Sequence, residues 1–194
     1  MKRFLLAAFS GLLLALAWPT YGFPLLLFFA FVPLLWVEND IRNSEVKRKK
    51  LMLFGYSYLS FFIWNLITTS WLRFADLFGA SFAILVNSLL MAVLMLLYHG
   101  IAKRTSRTKA LIFLIALWLS FEKLHLGWEF SWPWLNLGNA FSEHITWIQW
   151  YEYTGTFGGS LWVWVGNIMV YTALQDYIAD KHKRRLKALA IRLG

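Results

Sequence analysis

The hydrophobic positions of this chain form six long runs that are separated by short polar segments. The runs cover roughly residues 4–18, 23–37, 51–72, 79–98, 110–124 and 158–177. A hydrocarbon core about 30 Å thick takes roughly 20 apolar helical residues to cross, and the third, fourth and sixth runs reach that length. The pattern predicts an all-α integral membrane protein, a bundle of about six transmembrane helices that forms a single domain over residues 1–194.

The first run is short, and two interpretations of it stay open. It follows Met1-Lys2-Arg3 and ends at a Trp-Pro-Thr-Tyr-Gly turn, so it could form a helical hairpin with the second run. It also fits a signal peptide that is cleaved after Ala17. In the second run, Pro33 is expected to kink the helix because it cannot donate a backbone hydrogen bond.

Lysine and arginine are concentrated on one of the two sides that six spans would create. Of the 19 basic residues, 17 fall in segments on one side, and only Arg73 and Lys123 fall on the other. This distribution follows the positive-inside rule and predicts that both termini are cytoplasmic. It also accounts for the net charge of +9 without a polyanionic partner, so no nucleic acid is expected. The composition agrees, because 15% charged residues is well below the share in soluble domains.

Residues 125–157 differ from the runs around them in being rich in tryptophan, glycine and glutamate. Between Leu126 and Asn167 lie seven of the 12 tryptophans. Aromatic rings with polar tips favour the membrane–water interface. We therefore predict an outer interfacial segment on the side opposite to the basic loops. The carboxylates of this region are expected at headgroup depth, in structural or solvated roles: Glu122, Glu129, Glu143 and Glu152.

Several residues of this segment could contact a lipid or its headgroup. Gln149, Glu152 and Thr156 are spaced to share one helical face, and the glycines that follow permit close backbone approach or an anion site at a helix start. Helix packing on small residues is the alternative interpretation of the glycines. The candidates are Glu129, Trp132, Trp134, Asn136, Gln149, Glu152, Gly155, Gly158 and Gly159.

The residues do not predict a catalytic centre. Cysteine is absent, and none of the four histidines lies three or four positions from another, so neither a metal nor a cofactor is expected. Two further classes compete with lipid binding: a small helical transporter and a non-catalytic membrane scaffold. A transporter commonly carries charge or broken helices near the midplane, where this chain offers Asn65, Asn87 and Asn167.

Two blocks of the sequence resemble the membrane part of apolipoprotein N-acyltransferases. They are GLLLALAWPTYGFPLLLFFAFVPLLW, and WPWLNLGNAF together with IQWYEYTGTFGGSLWVWVGN, which carry a Pro-Trp-x-x-x-Gly turn and a Gln-x-x-Glu-x-x-Gly-x-x-Gly helix entry. The resemblance covers most of the chain between Ser10 and Tyr171.

The resemblance implies a role in lipoprotein biosynthesis at the outer face of the bacterial inner membrane. In that family, an acyl chain passes from a phospholipid to the N-terminal cysteine amine of a lipoprotein. A nitrilase-like domain performs the transfer with a Glu, a Lys and a Cys, none of which can be assigned here because the chain has no cysteine. We expect the chain alone to be inactive. Its expected partners are phospholipid, the lipoprotein substrate and a nitrilase-like domain on a separate chain; a fragment, a truncated gene and half of a split enzyme all remain open.

Overall fold

The computed structural model describes residues 1–19 and 22–193, with side chains up to Lys181. Within these residues the fold is all-helical, which confirms the predicted class. Five stretches are long and apolar enough to cross a membrane: Pro24–Asn43, Lys49–Phe74, Leu77–Ala102, Arg107–Gly127 and Tyr151–Lys181. The helices are α1 (Lys2–Leu16), α2 (Leu27–Ala30), α3 (Val32–Asn43), α4 (Lys49–Thr69), α5 (Leu77–Ala102), α6 (Arg107–Gly127) and α7 (Tyr151–Leu193).

The first helix forms a hairpin with α2 and α3. It has 15 residues, about 22 Å of helix, which is less than the length of the five longer stretches. At its start, Arg3 pairs with Asp40 at 2.6 Å, and at its end the Leu16 carbonyl accepts a hydrogen bond from the Phe23 amide at 2.8 Å. Because contacts at both ends join it to the second run, α1 covers the same depth as α2 and α3.

The basic segments collect at one end of the bundle, which we call the basic end. There, α1 meets α3 through Arg3 and Asp40, and α6 meets α7 through Arg107 and Asp176 at 2.9 Å. Lys49 at the start of α4 donates to the Arg42 carbonyl at 3.0 Å. Residues 128–150, between α6 and α7, lie at the opposite end, which we call the Trp-rich end.

The disturbance predicted at Pro33 is an interruption of one residue, Phe31, between α2 and α3, and the Phe31 backbone keeps right-handed helical angles. Pro33 lies in the first turn of α3, and the two helices meet at Phe31. The side-chain amide of Asn167 bridges the gap, accepting from the Phe31 amide at 2.9 Å and donating to the Leu27 carbonyl at 2.6 Å. A backbone break inside a membrane needs such partners because lipid supplies none.

Two helix boundaries differ from the prediction. The polar residues after Val37 remain helical as far as Asn43, because Glu38 is fully buried and paired with His99 and Arg42. The last helix begins with one turn at Tyr151, but the backbone angles at Gly155 are non-helical and the continuous helix starts after it, close to the predicted start at 158. The segment that connects α6 and α7 is therefore shorter than residues 125–157.

Aromatic side chains fill the middle of the bundle. Trp118 contacts Trp164 with ring centroids 5.2 Å apart and Phe31 at 5.1 Å, and all three rings are buried. Small residues bring the helices together: a side chain on Gly11 would collide with the Ser60 carbonyl of α4. Packing of this kind holds membrane helices together, since lipid offers them little hydrophobic driving force.

Candidate functional site

Residues 128–150 fold back over the Trp-rich end instead of extending from it. They form three short 3-10 turns, Pro133–Leu135, Leu137–Phe141 and Ile145–Trp147. Leu137, Ala140 and Phe141 are buried, so the middle turn anchors the segment. The Trp-Pro-Trp turn before it stays near the surface.

A buried carboxylate holds this segment on α6. One oxygen of Glu122 accepts from the Leu137 amide at 2.8 Å and from the Trp118 indole at 3.1 Å. Hydrogen bonds to a carboxylate are among the stronger ones in proteins. Glu122 is therefore a buried structural anchor, and a structural role is one of the two roles expected for it from the sequence.

Two glycines hold the segment on α7. The Gly138 amide donates to the Ser160 hydroxyl at 3.0 Å, and the Tyr151 hydroxyl donates to the Gly138 carbonyl at 3.0 Å. A side chain on Gly138 would meet the Thr156 carbonyl, and one on Gly159 would lie 2.9 Å from the Gly138 Cα. The segment and the helix therefore make backbone-to-backbone contact that only glycine allows.

The candidate residues occupy different environments. Asn136 and Gly159 are buried beside this glycine contact, whereas Trp132 and Gly158 are half-buried. The exposed members are Glu129, Trp134, Gln149, Glu152 and Gly155. The fold thus brings Gly138, two residues after Asn136, against Gly159.

The shared helical face proposed for Gln149, Glu152 and Thr156 does not form. Gln149 precedes the start of α7 at Tyr151 and donates its amide to the Ile145 carbonyl at 2.9 Å. Gly155 has a positive φ of 61°, which interrupts the helix between Glu152 and Thr156. The regular spacing in the sequence does not reveal this interruption.

A cavity of about 870 Å³ opens at the Trp-rich end. Its walls come from three separate parts of the chain: Trp18 and Pro19 after α1, Thr68 to Trp71 at the end of α4, and the turn at Pro133 and Trp134. Trp71 and Trp134 meet edge to face, with centroids 5.8 Å apart. Among the described residues that line the cavity, none is charged. Such a cavity suits an apolar chain with an uncharged end.

The threonine hydroxyls that α4 contributes to the cavity wall form hydrogen bonds within their own helix. The Thr68 hydroxyl donates to the Trp64 carbonyl at 2.7 Å, and the Thr69 hydroxyl donates to the Asn65 carbonyl at 2.6 Å. They therefore offer little to a polar ligand. Within the described residues no three metal-binding side chains lie close enough to hold an ion.

The basic end carries a polar cluster that the sequence did not indicate. Glu38 lies 2.7 Å from the His99 ring and 3.1 Å from the Arg42 guanidinium. Glu38 and His99 are fully buried. Because the two are 61 positions apart in the chain, no local motif could have identified the pair.

Comparison with known proteins gives the family. The protein-family model of the apolipoprotein N-acyltransferase N-terminal domain matches residues 10–169. The chain is 30% identical over 173 residues to an apolipoprotein N-acyltransferase of Chlorobaculum tepidum, an alignment that covers 87% of this chain and 31% of that relative. No solved structure matches the chain significantly. On the match over most of its length, the chain belongs to the family of apolipoprotein N-acyltransferase N-terminal domains.

Proposed function

We propose that this chain is a lipid-binding membrane domain that serves acyl transfer to lipoproteins. In this proposal the phospholipid enters the cavity at the Trp-rich end and is presented to a catalytic centre that lies outside the chain. The chain supplies no cysteine and spans 31% of its Chlorobaculum tepidum relative. The nucleophile therefore has to come from another domain or from a separate nitrilase-like chain.

The observation that carries the proposal is the cavity of about 870 Å³ framed by Trp18, Trp71 and Trp134. Its volume lies in the range of roughly 300–1,000 Å³ that small-molecule sites occupy. Indole rings at its walls suit the boundary between acyl chains and headgroups. The anchors at Glu122 and Gly138 keep the Trp-Pro-Trp turn in place, so one wall is rigid before lipid arrives.

The proposal includes an orientation in the bacterial inner membrane. The basic segments gather at one end of the bundle, and by the positive-inside rule that end faces the cytoplasm with both termini. The Trp-rich end then faces the periplasm, where a lipoprotein substrate would meet the bound phospholipid. The proposed partners are therefore phospholipid, lipoprotein and the catalytic domain.

A chimera tests the proposal. The matching part of the Chlorobaculum tepidum relative is replaced by this chain, and N-acylation of a lipoprotein is followed by mass spectrometry in cells depleted of their own enzyme. We expect the chimera to acylate the lipoprotein and this chain alone not to do so. Thr68→Trp, which fills the cavity, should lower acylation by the chimera about tenfold or more.

A matched control distinguishes the effect of filling the cavity from the effect of adding a large indole side chain anywhere in the protein. Ser81→Trp adds the same ring to an exposed position of α5, outside the cavity, and should leave acylation unchanged. Both variants are checked for insertion and thermal stability. A stable chimera that acylates equally with Thr68→Trp would refute a role for the cavity, and acylation by the chain alone would refute the need for an outside nucleophile.

A further inference from the structure

A second, smaller cavity lies on the side of the bundle, between α5 and the end of α6. Its volume is about 200 Å³, with α5 residues from Phe82 to Leu90 on one side and His125 with residues 128–132 on the other. From Phe82 to Leu90 the helix rises about 12 Å. Since α5 begins at Leu77, this cavity extends from near the Trp-rich end into the depth of the acyl chains.

The cavity is lined by buried polar atoms that lack partners. His125 is only 3% exposed. Within the described chain, neither of its ring nitrogens makes a hydrogen bond of ordinary geometry, and the same holds for the indole nitrogens of Trp128 and Trp132. Buried polar groups are nearly always paired in native proteins. Unlike the unpaired indole nitrogens of Trp64 and Trp164, these nitrogens line a cavity, so a ligand in it could accept hydrogen bonds from those that donate.

The side chains that carry these nitrogens are held in place. The Ser131 hydroxyl and the Trp132 amide both donate to the His125 carbonyl, at 2.8 and 3.2 Å, which folds the loop over the last turn of α6. The His125 ring packs between Phe121 at 4.3 Å and Trp128 at 5.3 Å. The cavity wall is therefore preorganised.

The aromatic contacts also continue across to α5. Trp128 meets Phe130 at 5.6 Å between centroids, and Phe130 meets Phe82 at 6.1 Å. This arc of rings joins α6 to α5 on the side of the cavity nearer the Trp-rich end. A ligand below it would have aromatic rings at its polar end and Val86 and Leu90 along its length, with the Asn87 amide between them.

The unpaired atoms define the chemistry of the ligand. An indole N–H only donates, and a neutral imidazole supplies one further donor. Among the described lining residues there is no lysine or arginine, so the site offers no cation to a phosphate. A neutral carbonyl oxygen at the head of an alkyl chain satisfies both the donors and the apolar wall. That group is found in the acyl ester of a phospholipid and, when protonated, in a free fatty acid.

We propose that this side cavity binds one acyl chain of a membrane lipid, with its carbonyl oxygen accepting hydrogen bonds from the nitrogens of Trp128, Trp132 and His125. The site is separate from the 870 Å³ cavity, and it does not depend on acyl transfer. Even if the protein bound lipid without taking part in acyl transfer, these buried N–H donors would still need acceptors. Failure of the chimera experiment would therefore not contradict lipid binding in the side cavity. Failure of the side-cavity proposal would likewise not contradict the role of the large cavity in acyl transfer.

Photocrosslinking of the full chain in lipid nanodiscs tests the proposal. The probe is diacyl phosphatidylglycerol with a diazirine close to one acyl carbonyl, and the modified peptides are mapped by mass spectrometry. We expect crosslinks on residues 82–90 and 125–132. Unlabelled diacyl phosphatidylglycerol should displace the probe at about a tenfold lower concentration than its dialkyl ether analogue, which lacks the carbonyl acceptors.

Palmitic acid distinguishes the two lipid sources. If it competes better than diacyl phosphatidylglycerol, the ligand is a free fatty acid, and if it competes less well, the ligand is a phospholipid. Either result supports the carbonyl site, provided that the ether analogue competes poorly. Equal competition by the ester and ether lipids would overturn the proposal.

Variants separate the donors from the rings that carry them. Trp128→Phe with Trp132→Phe keeps two aromatic rings but removes both N–H groups, and should lower crosslinking about tenfold. Trp147→Phe, which removes an indole N–H from a residue that lines neither cavity, should leave it unchanged. Val86→Trp fills the side cavity while all donors remain, and it should abolish crosslinking even if the double variant proves unstable. Unchanged crosslinking in stable Val86→Trp would overturn the proposal.

Discussion

The two ends of the bundle satisfy their polar groups in different ways. At the basic end, charged side chains pair with one another, as in the buried contact of Glu38 with His99 and Arg42. At the Trp-rich end, the backbone of residues 128–150 is bonded to Glu122, Ser160 and Tyr151, while the nitrogens of Trp128 and Trp132 have no partner in the described chain. At the basic end the buried carboxylate is paired within the chain and only the second ring nitrogen of His99 lacks a partner among the described residues, whereas at the Trp-rich end several ring nitrogens do.

The polar contacts of the basic end also differ in how far they are buried. Glu38 and His99 are fully buried, whereas the Arg107 and Asp176 side chains are 47% and 63% exposed. Removing one partner of a buried pair leaves a charge without compensation, while an exposed pair contributes little because water and salt screen it. Stability of this end should therefore depend on Glu38 far more than on the surface pairs.

The largest effect is expected for Glu38→Ala. It leaves Arg42 and the buried His99 without their carboxylate and should lower the free energy of unfolding by about 3–5 kcal/mol. Thermal and denaturant unfolding in detergent, followed by circular dichroism, measure the loss. Asp40→Ala, which removes the half-exposed partner of Arg3, is the control and should change stability by less than about 1 kcal/mol. Equal losses in the two variants would contradict a dominant contribution of the buried Glu38 contacts to stability.

A smaller effect is expected at the Trp-rich end for Gly138→Ala. The added methyl group would meet the Thr156 carbonyl and push the middle turn away from α7, at a cost of about 1–3 kcal/mol. Gly127→Ala, where the new group meets nothing within 4 Å, provides the control. Hydrogen exchange of residues 137–141 should rise in the first variant only. Unchanged exchange there would show that the close glycine contact does not hold the segment.

The smallest effect is expected for Asp176→Ala. It removes an exposed partner of Arg107, so the free energy of unfolding should fall by less than about 1 kcal/mol, and the difference should fade at high salt. Unfolding at low and high ionic strength measures it. A loss of unfolding free energy as large as that of Glu38→Ala would mean that the exposed pairs also stabilise the basic end strongly.

The parts of the fold that depend on local pattern could be predicted from the sequence. Runs of apolar residues gave the spans, and the positions of lysine and arginine indicated which segments share an end. The density of tryptophan and glycine located the segment that folds between α6 and α7. In each case the information lies within about 20 neighbouring residues, which is the scale on which hydropathy and charge act.

The remaining features join residues far apart in the chain. Asn167 bridges the break at Phe31, 136 positions away, and Glu38 meets His99 across 61 positions. The large cavity brings Trp18, Trp71 and Trp134 together from three segments. These long-range contacts depend on how the helices pack against one another, and the periodicity of a single sequence does not indicate which helices are neighbours. The turn at Tyr151, before the kink at Gly155, was missed for a related reason, because the Tyr151 hydroxyl bonds to Gly138, 13 positions earlier in the chain.

The central claim is that the Trp-rich end faces the periplasm, opposite to the basic end. Because the chain has no cysteine of its own, single substitutions report sidedness directly. Glu143→Cys lies on the exposed surface of the Trp-rich end, and Glu45→Cys lies on the exposed loop between α3 and α4 at the basic end. With a membrane-impermeant maleimide on intact spheroplasts, we expect labelling at position 143 at once and at position 45 only after permeabilisation. Labelling of position 45 in intact spheroplasts, with position 143 protected, would contradict the account.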